Sequence, residues 1–217
     1  MKWFGYKVNR GLPVFDSIFK VTFLIGFIAG CIIRLTSLIR VPNWWRNKNE
    51  ITDDRSTWSE KLLMFSIFIG MQVIPFIYFL TSWLDFLDYN LPAWAGLVLG
   101  LIGTAVFAAA LWLLWRSHVD LGRNFSPELQ IGEEHSLVTH GVFRYIRHPM
   151  YASHLLWAIA QALLLQNWIA GLSFLATSFP LYLLRIPREE QMMLEHFGEE
   201  YCLYMNRTGR IIPLFWR

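Results

Sequence analysis

The sequence predicts an all-α integral membrane protein of about five transmembrane helices, ending in a helix hairpin and a cytoplasmic amphipathic helix. Three observations predict it. Of 217 residues 55% are hydrophobic and only 16% charged, where soluble domains average about 45–50% and 25%. Two runs, Leu62–Leu84 and Ala93–Trp115, reach the roughly 20 apolar residues a bilayer-crossing helix needs and carry no formal charge. The connections between runs alternate in charge as membrane loops do. The 17 Phe, 11 Trp and 8 Tyr agree, because aromatic rings favour the membrane interface. Disorder, nucleic-acid binding and a disulfide-stapled secreted module are excluded. Cys31 and Cys202 lie far apart, in no CxxC pattern.

The elements follow in order. A first span over Val14–Ile39 carries Asp16, Lys20 and Arg34, charges that reach the interface by snorkelling. It begins late and lacks a small-residue cleavage site, so no cleavable signal peptide is expected. The two uncharged runs come next. Ala152–Leu165 and Trp168–Leu184 are then joined only by Gln166-Asn167, a helical hairpin turn. Pro149 lets the first arm begin at the membrane edge. Gly26–Gly30 and Gly96–Gly100 form GxxxG pairs inside spans, the signature of close helix packing. Beyond Arg185 an amphipathic helix is predicted over Glu189–Met205, with Met193, Phe197 and Tyr201 spaced by four.

Loop charge orients the bundle. Asp85–Pro92 holds two acids and no base, and faces outward. Arg40–Lys61 and Arg116–Pro149 are rich in Lys and Arg, which places both in the cytoplasm with the C-terminal tail. The N-terminus then sits outside, against the pull of Lys2, Lys7 and Arg10.

Polar chemistry gathers in two cytoplasmic blocks. One runs from Asn124 through Gln130 and His135 to Arg147-His148-Pro149-Met150-Tyr151. The other is Arg185 to Glu190, continued by Phe197-Gly198-Glu199-Glu200-Tyr201. The hairpin starts after the first block and ends at the second, so both return to one membrane face. Arg144 and Arg147 beside a proline-started helix make an anion site, or simply positive membrane anchors. Glu189 and Glu190 beside Arg185 and Arg188 form a partly desolvated charge cluster, or simply suit a helix first turn. His135, His140, His148 and His154 lack metal-ligand spacing, so no metal is expected. His154 is read as a helix-packing polar residue. GxSxG and GxGxxG motifs are missing.

The stretch His135-Ser-Leu-Val-Thr-His-Gly-Val-Phe-Arg-Tyr-Ile-Arg-His-Pro-Met-Tyr151, a hairpin, then Arg185, Glu189-Glu190, Phe197-Gly-Glu-Glu-Tyr201 and Ile212-Pro213 resembles the isoprenylcysteine carboxyl methyltransferase family. The resemblance covers about Leu121–Pro213 and looks closest to compact prokaryotic members. It implies three N-terminal spans over 1–120 and a catalytic region over 121–217. It implies S-adenosylmethionine as cofactor, in a cytoplasm-facing pocket closed by the C-terminal segment. By motif, Gln130, His135, Ser136, Leu137, Val138, Phe143, His148, Pro149, Met150, Tyr151 and Glu189 would bind the cofactor. Arg185 would face the substrate, with Arg147 and Glu190 as further catalytic candidates. Phe143 stands where relatives often have Tyr, and Ala152-Ser153 replaces a glycine-containing continuation.

The implied partners are the bilayer and a lipidic, foremost prenylated, substrate; the host membrane would be the plasma membrane in a prokaryote and the endoplasmic reticulum in a eukaryote. A phospholipid amine is the rival acceptor. A sterol or enone reductase using NADPH and a non-catalytic scaffold are the readings from other classes.

Overall fold

The computed structural model describes residues 13–39, 51–55, 57–126, 129–132 and 135–214. Lys2, Lys7, Arg10, Arg40, Arg46, Lys48 and Arg217, which enter the orientation argument, lie outside them. In chain order the elements are α1 (Pro13–Ile39), β1 (Ile51–Asp54), α2 (Trp58–Phe68), a π-helical stretch (Ile69–Val73), α3 (Ile74–Leu80), α4 (Ala93–Leu121), β2 (Gln130–Gly132), α5 (Pro149–Leu165), α6 (Trp168–Phe197) and α7 (Glu199–Arg207). Among the described residues, Ser17–Ile39, Trp58–Leu80, Ala93–Asn124 and Trp168–Phe197 are long and apolar enough to cross a membrane, and Pro149–Leu165 is a shorter apolar helix. The protein is a mostly helical, multi-pass integral membrane protein.

An aromatic column holds the bundle together. Phe23 stacks on Phe107 at 5.5 Å, and Phe107 meets Trp157 edge-on at 4.9 Å. Phe23, Phe107, Trp157 and Phe174 are all under 2% exposed. Three of the four GxxxG glycines pack against rings rather than backbones, and Gly96 packs against the Gln166 side chain. A Cβ on Gly26 would lie 2.2 Å from the Phe107 ring, one on Gly30 2.3 Å from Trp157, and one on Gly100 2.1 Å from Phe19.

The second span opens with a capping box, in which Thr57 Oγ1 accepts from the Glu60 amide and the Glu60 carboxylate accepts from the Thr57 amide. Its helix then widens at Ile69–Val73. Pro75 has no N–H to give the preceding turn. The Gly70 carbonyl is bonded instead by Ser173 Oγ at 2.7 Å and Gln161 Nε2 at 3.1 Å.

The hairpin turn is where the sequence placed it. Gln166 takes a left-handed conformation at φ 47°. Fully buried Asn167 caps α6 by accepting from the Ile169 and Ala170 amides, while its Nδ2 donates to the Leu84 carbonyl and Asp88 Oδ1. This ties the acidic loop to the turn, at the end of the bundle opposite the polar blocks.

Two features differ from the sequence reading. The last span and the amphipathic helix are one helix, α6, because Pro180 and Pro187 each remove a single donor without ending it. The break comes at Gly198, with φ +55°, and α7 follows. Arg185, Glu189 and Glu190 therefore sit on the rigid extension of a membrane helix. Antiparallel β1 and β2 also pair, Asp54 opposite Gln130 and Ile51 opposite Gly132; strands this short leave no alternating pattern in the sequence.

Candidate active site

Helices α5 and α6 run antiparallel from the tight turn, so the start of one meets the end of the other. The contact is direct: Tyr151 Oη donates to Glu189 Oε2 at 2.6 Å, and His148 Nδ1 lies 3.8 Å from Glu189 Oε1. Around this junction opens a cavity of about 310 Å³, within the range of small-molecule pockets.

The cavity has two characters. Gln130, His135, His148, Tyr151 and Glu189 line a polar part, and Met64, Ile67, Phe68, Met71, Phe174 and Leu181 an apolar one. Gln130 is fixed by its Nε2 donating to Asp54 Oδ2 at 3.0 Å, across the β1–β2 pair. Arg185 belongs to both parts. It lies one helical turn before Glu189 on α6, which puts the two on one face. Its Nη1 is 3.7 Å from the Met64 sulfur, and the residue is 8% exposed.

Of the residues expected at a cofactor, Gln130, His135, Phe143, His148, Pro149, Met150, Tyr151 and Glu189 line this cavity. Ser136, Leu137 and Val138 do not. The Ser136 amide donates to Asn124 Oδ1 at 2.8 Å, so Ser136 is one residue removed from the cavity lining, and Val138 is buried away from the cavity. Arg147 touches the cavity, but its guanidinium is spent on Glu190 and on the Met205 and Thr208 carbonyls. Glu190 lies off the cavity, held by Arg147 Nε at 3.0 Å, His148 Nε2 at 3.2 Å and Arg210 Nη2 at 2.6 Å. Neither is positioned as a free reacting group.

Residues 101–195 match the model of the isoprenylcysteine carboxyl methyltransferase (ICMT) family. Over that stretch, the chain is similar to this family. A probable protein-S-isoprenylcysteine O-methyltransferase of Oryza sativa subsp. indica is 31% identical over 128 residues, covering 58% of this chain and 63% of its own. The Homo sapiens protein-S-isoprenylcysteine O-methyltransferase is 31% identical over 146 residues, 62% of this chain and 49% of its own. A solved structure of the eukaryotic intramembrane Ras methyltransferase ICMT aligns at 26% identity and TM-score 0.49, over 75% of this chain and 55% of its own. The chain thus spans about half to just under two thirds of the length of these curated relatives.

The stretch that matches the family model holds β2, the His148–Tyr151 helix start, Arg185 and Glu189. The cavity also draws on residues outside it, from α1 and α2, that sequence reasoning missed: Arg34 and Cys31, Met64, and Gln72 of the π-helical stretch. Arg34 does not snorkel as expected; its Nη1 lies 3.2 Å from His154 Nε2 beside the same cavity. His154 is therefore a cavity residue rather than only a packing one. The available signal was the charge itself, since an ionisable residue within a span marks function by default.

Burial first, then neighbouring His196, holds His135 down to about 4 against the opposing pull of Glu189. An unfolded histidine titrates near 6.5. The folded form binds fewer protons between these values, so stability from the neutral ring is complete above about pH 6.5 and falls as pH drops toward 4. Thermal unfolding of wild type and His135→Gln across pH 4–8 is expected to show their difference constant above 6.5 and sloping below it. Parallel curves over the whole range would show that His135 does not titrate this way.

Proposed function

We propose that this protein is an S-adenosylmethionine-dependent methyltransferase that esterifies the terminal carboxylate of a prenylcysteine substrate. One observation carries the reading: a single cavity joins a polar part suited to an amino acid head to an apolar part suited to a lipid tail, with Arg185 common to both. Residues 121–217 supply the cofactor groups, and the spans before residue 120 complete the lipid-facing wall.

The residues fit the cofactor. Glu189 offers a carboxylate for an ammonium group, and the Pro149-started helix offers its positive end to a carboxylate. Gln130 and His135 add polar contacts. When bound, S-adenosylmethionine supplies an electrophilic methyl group on a sulfonium sulfur. The acceptor carboxylate, with a reference pKa of about 3.3–3.7, is already ionised at neutral pH, so the chain need provide no general base. This agrees with the engagement of Glu190 by Arg147, Arg210 and the His148 ring. An amine acceptor would have to lose a proton and would need such a base. What the residues provide is orientation, with Arg185 presenting a planar fork to the carboxylate, and exclusion of water by Met64, Phe68, Phe174 and their neighbours. Arg116 in the last turns of α4, with Arg123, Arg144 and Arg147 after it, supports a cytoplasmic position for this face by the positive-inside rule.

Purified protein incubated with radiolabelled S-adenosylmethionine and either farnesylcysteine or phosphatidylethanolamine tests the reading. A base-labile methyl ester on farnesylcysteine is expected; label in the phospholipid alone, or in neither, would overturn it. Glu189→Ala is expected to weaken cofactor binding, measured calorimetrically in detergent, by about 10- to 100-fold, the worth of a charge-assisted hydrogen bond. Unchanged affinity would remove Glu189 from the cofactor's ammonium.

A further inference from the structure

We propose that Arg34, on α1 and outside the ICMT-family stretch, is a second acceptor-binding residue that grips the substrate carboxylate together with Arg185. The inference rests on the proposed carboxylate acceptor and adds who recognises it. A guanidinium inside a membrane helix is costly unless it reaches water, pairs with an anion or faces a polar cavity. Arg34 lines the cavity, and among the described residues it forms no ion pair. Its side-chain partner among the described residues is the His154 ring nitrogen at 3.2 Å.

An arginine can only donate, so this contact needs the lone pair of a neutral imidazole. His154 also hydrogen-bonds the Met150 backbone, which fixes its ring. The pair therefore holds Arg34 in place while leaving its positive charge uncompensated. Arg185 lines the same cavity and repels Arg34 electrostatically. Two cations facing one chamber are stabilised by an anion between them. Glu189, the carboxylate of the polar part, takes the Tyr151 hydroxyl and attracts Arg185, as Glu60 does, but neither balances Arg34. The walls near the arginines are apolar, from Met64, Met71 and Phe174. The occupant this favours is an anionic head on an apolar tail. Helix α1 thereby selects carboxylates over amines, a discrimination the ICMT-family stretch alone would make with one arginine.

The test is equilibrium binding of N-acetyl-S-farnesylcysteine and its uncharged carboxamide to the full chain, with S-adenosylhomocysteine present. Wild type is expected to prefer the carboxylate by tenfold or more. Arg34→Gln is expected to reduce that preference about tenfold while binding the carboxamide as before, and Arg34→Lys to retain most of it. No preference in wild type, a preference unaltered in Arg34→Gln, or equal loss of both ligands would each overturn the proposal, the last by making Arg34 a packing residue. Binding is read without turnover, so the carboxylate preference decides Arg34 even if farnesylcysteine is never methylated.

Discussion

Arg185→Ala will lose about 10²-fold or more in kcat/KM toward a farnesylcysteine analogue and will keep its cofactor affinity. The size follows from what the arginine does. Methyl transfer consumes the negative charge of the acceptor oxygen, so a cation beside it does not lower the barrier by favouring accumulating charge. Its contribution is to hold the oxygen in line with the electrophilic carbon, and a displacement of about 1 Å costs on the order of 10²-fold. Arg185 is suited to this: it is 8% exposed, borne on a long helix, and packed against Met64 at 3.7 Å. Its guanidinium fork sets both position and rotation of a carboxylate, and an ammonium sets only position. Arg185→Lys is accordingly expected to recover affinity for the acceptor better than kcat. Steady-state kinetics with cofactor binding measured in parallel checks both variants. Near-normal turnover in Arg185→Ala would move the acceptor to another group, with Arg34 the first to examine.

How far such a site could be read beforehand depended on which physical signal each residue carries. The Gln166-Asn167 turn was legible because Asn between two apolar runs has few other uses, and Asn167 does cap α6 and tie down the acidic loop. From that turn followed the return of the two polar blocks, with Tyr151 in one and Glu189 in the other, to one membrane face. Side-chain direction on α1 was not legible. In lipid both faces of a helix are apolar, so periodicity does not separate inside from outside. Phe19, Phe23 and Phe27 point into the bundle while Ile18, Val21, Ile25, Ile28 and Ile32 face out, all equally hydrophobic in a pattern search. Arg34 shares that ambiguity, and its direction emerges only from the packing of α1 against α4 and Trp157. Ser136, Leu137 and Val138 are placed at the cofactor by motif alone; they do not line the cavity, and the Ser136 amide bonds Asn124, which does.

Glu190→Ala will be the most destabilising of these changes, at about 3–5 kcal/mol, the cost of removing one partner from a buried ion pair. Glu190 is 6% exposed and joins three side chains from two places: Arg147 and His148 before α5, and Arg210 beyond α7. The same region is laced by backbone bonds, with the Arg147 amide donating to the Gly209 carbonyl at 2.8 Å and the His148 amide to the Arg210 carbonyl at 2.9 Å. Glu190 thus clamps the C-terminal strap across the start of the helix that the cofactor is expected to meet. Its loss leaves Arg147, with a side chain only 9% exposed, without its counter-charge. A lower melting temperature in detergent, new proteolytic cleavage within residues 205–214, and weaker cofactor binding relieved at saturating cofactor are the expected results. Glu190→Gln keeps the volume and part of the hydrogen bonding, and falls between. The two variants separate a clamp from a base. A clamp loses stability and cofactor affinity together, and saturating cofactor restores turnover. A Glu190→Gln protein that melts and binds cofactor as wild type yet turns nothing over would make Glu190 a proton acceptor. That result would point the chemistry toward an amine.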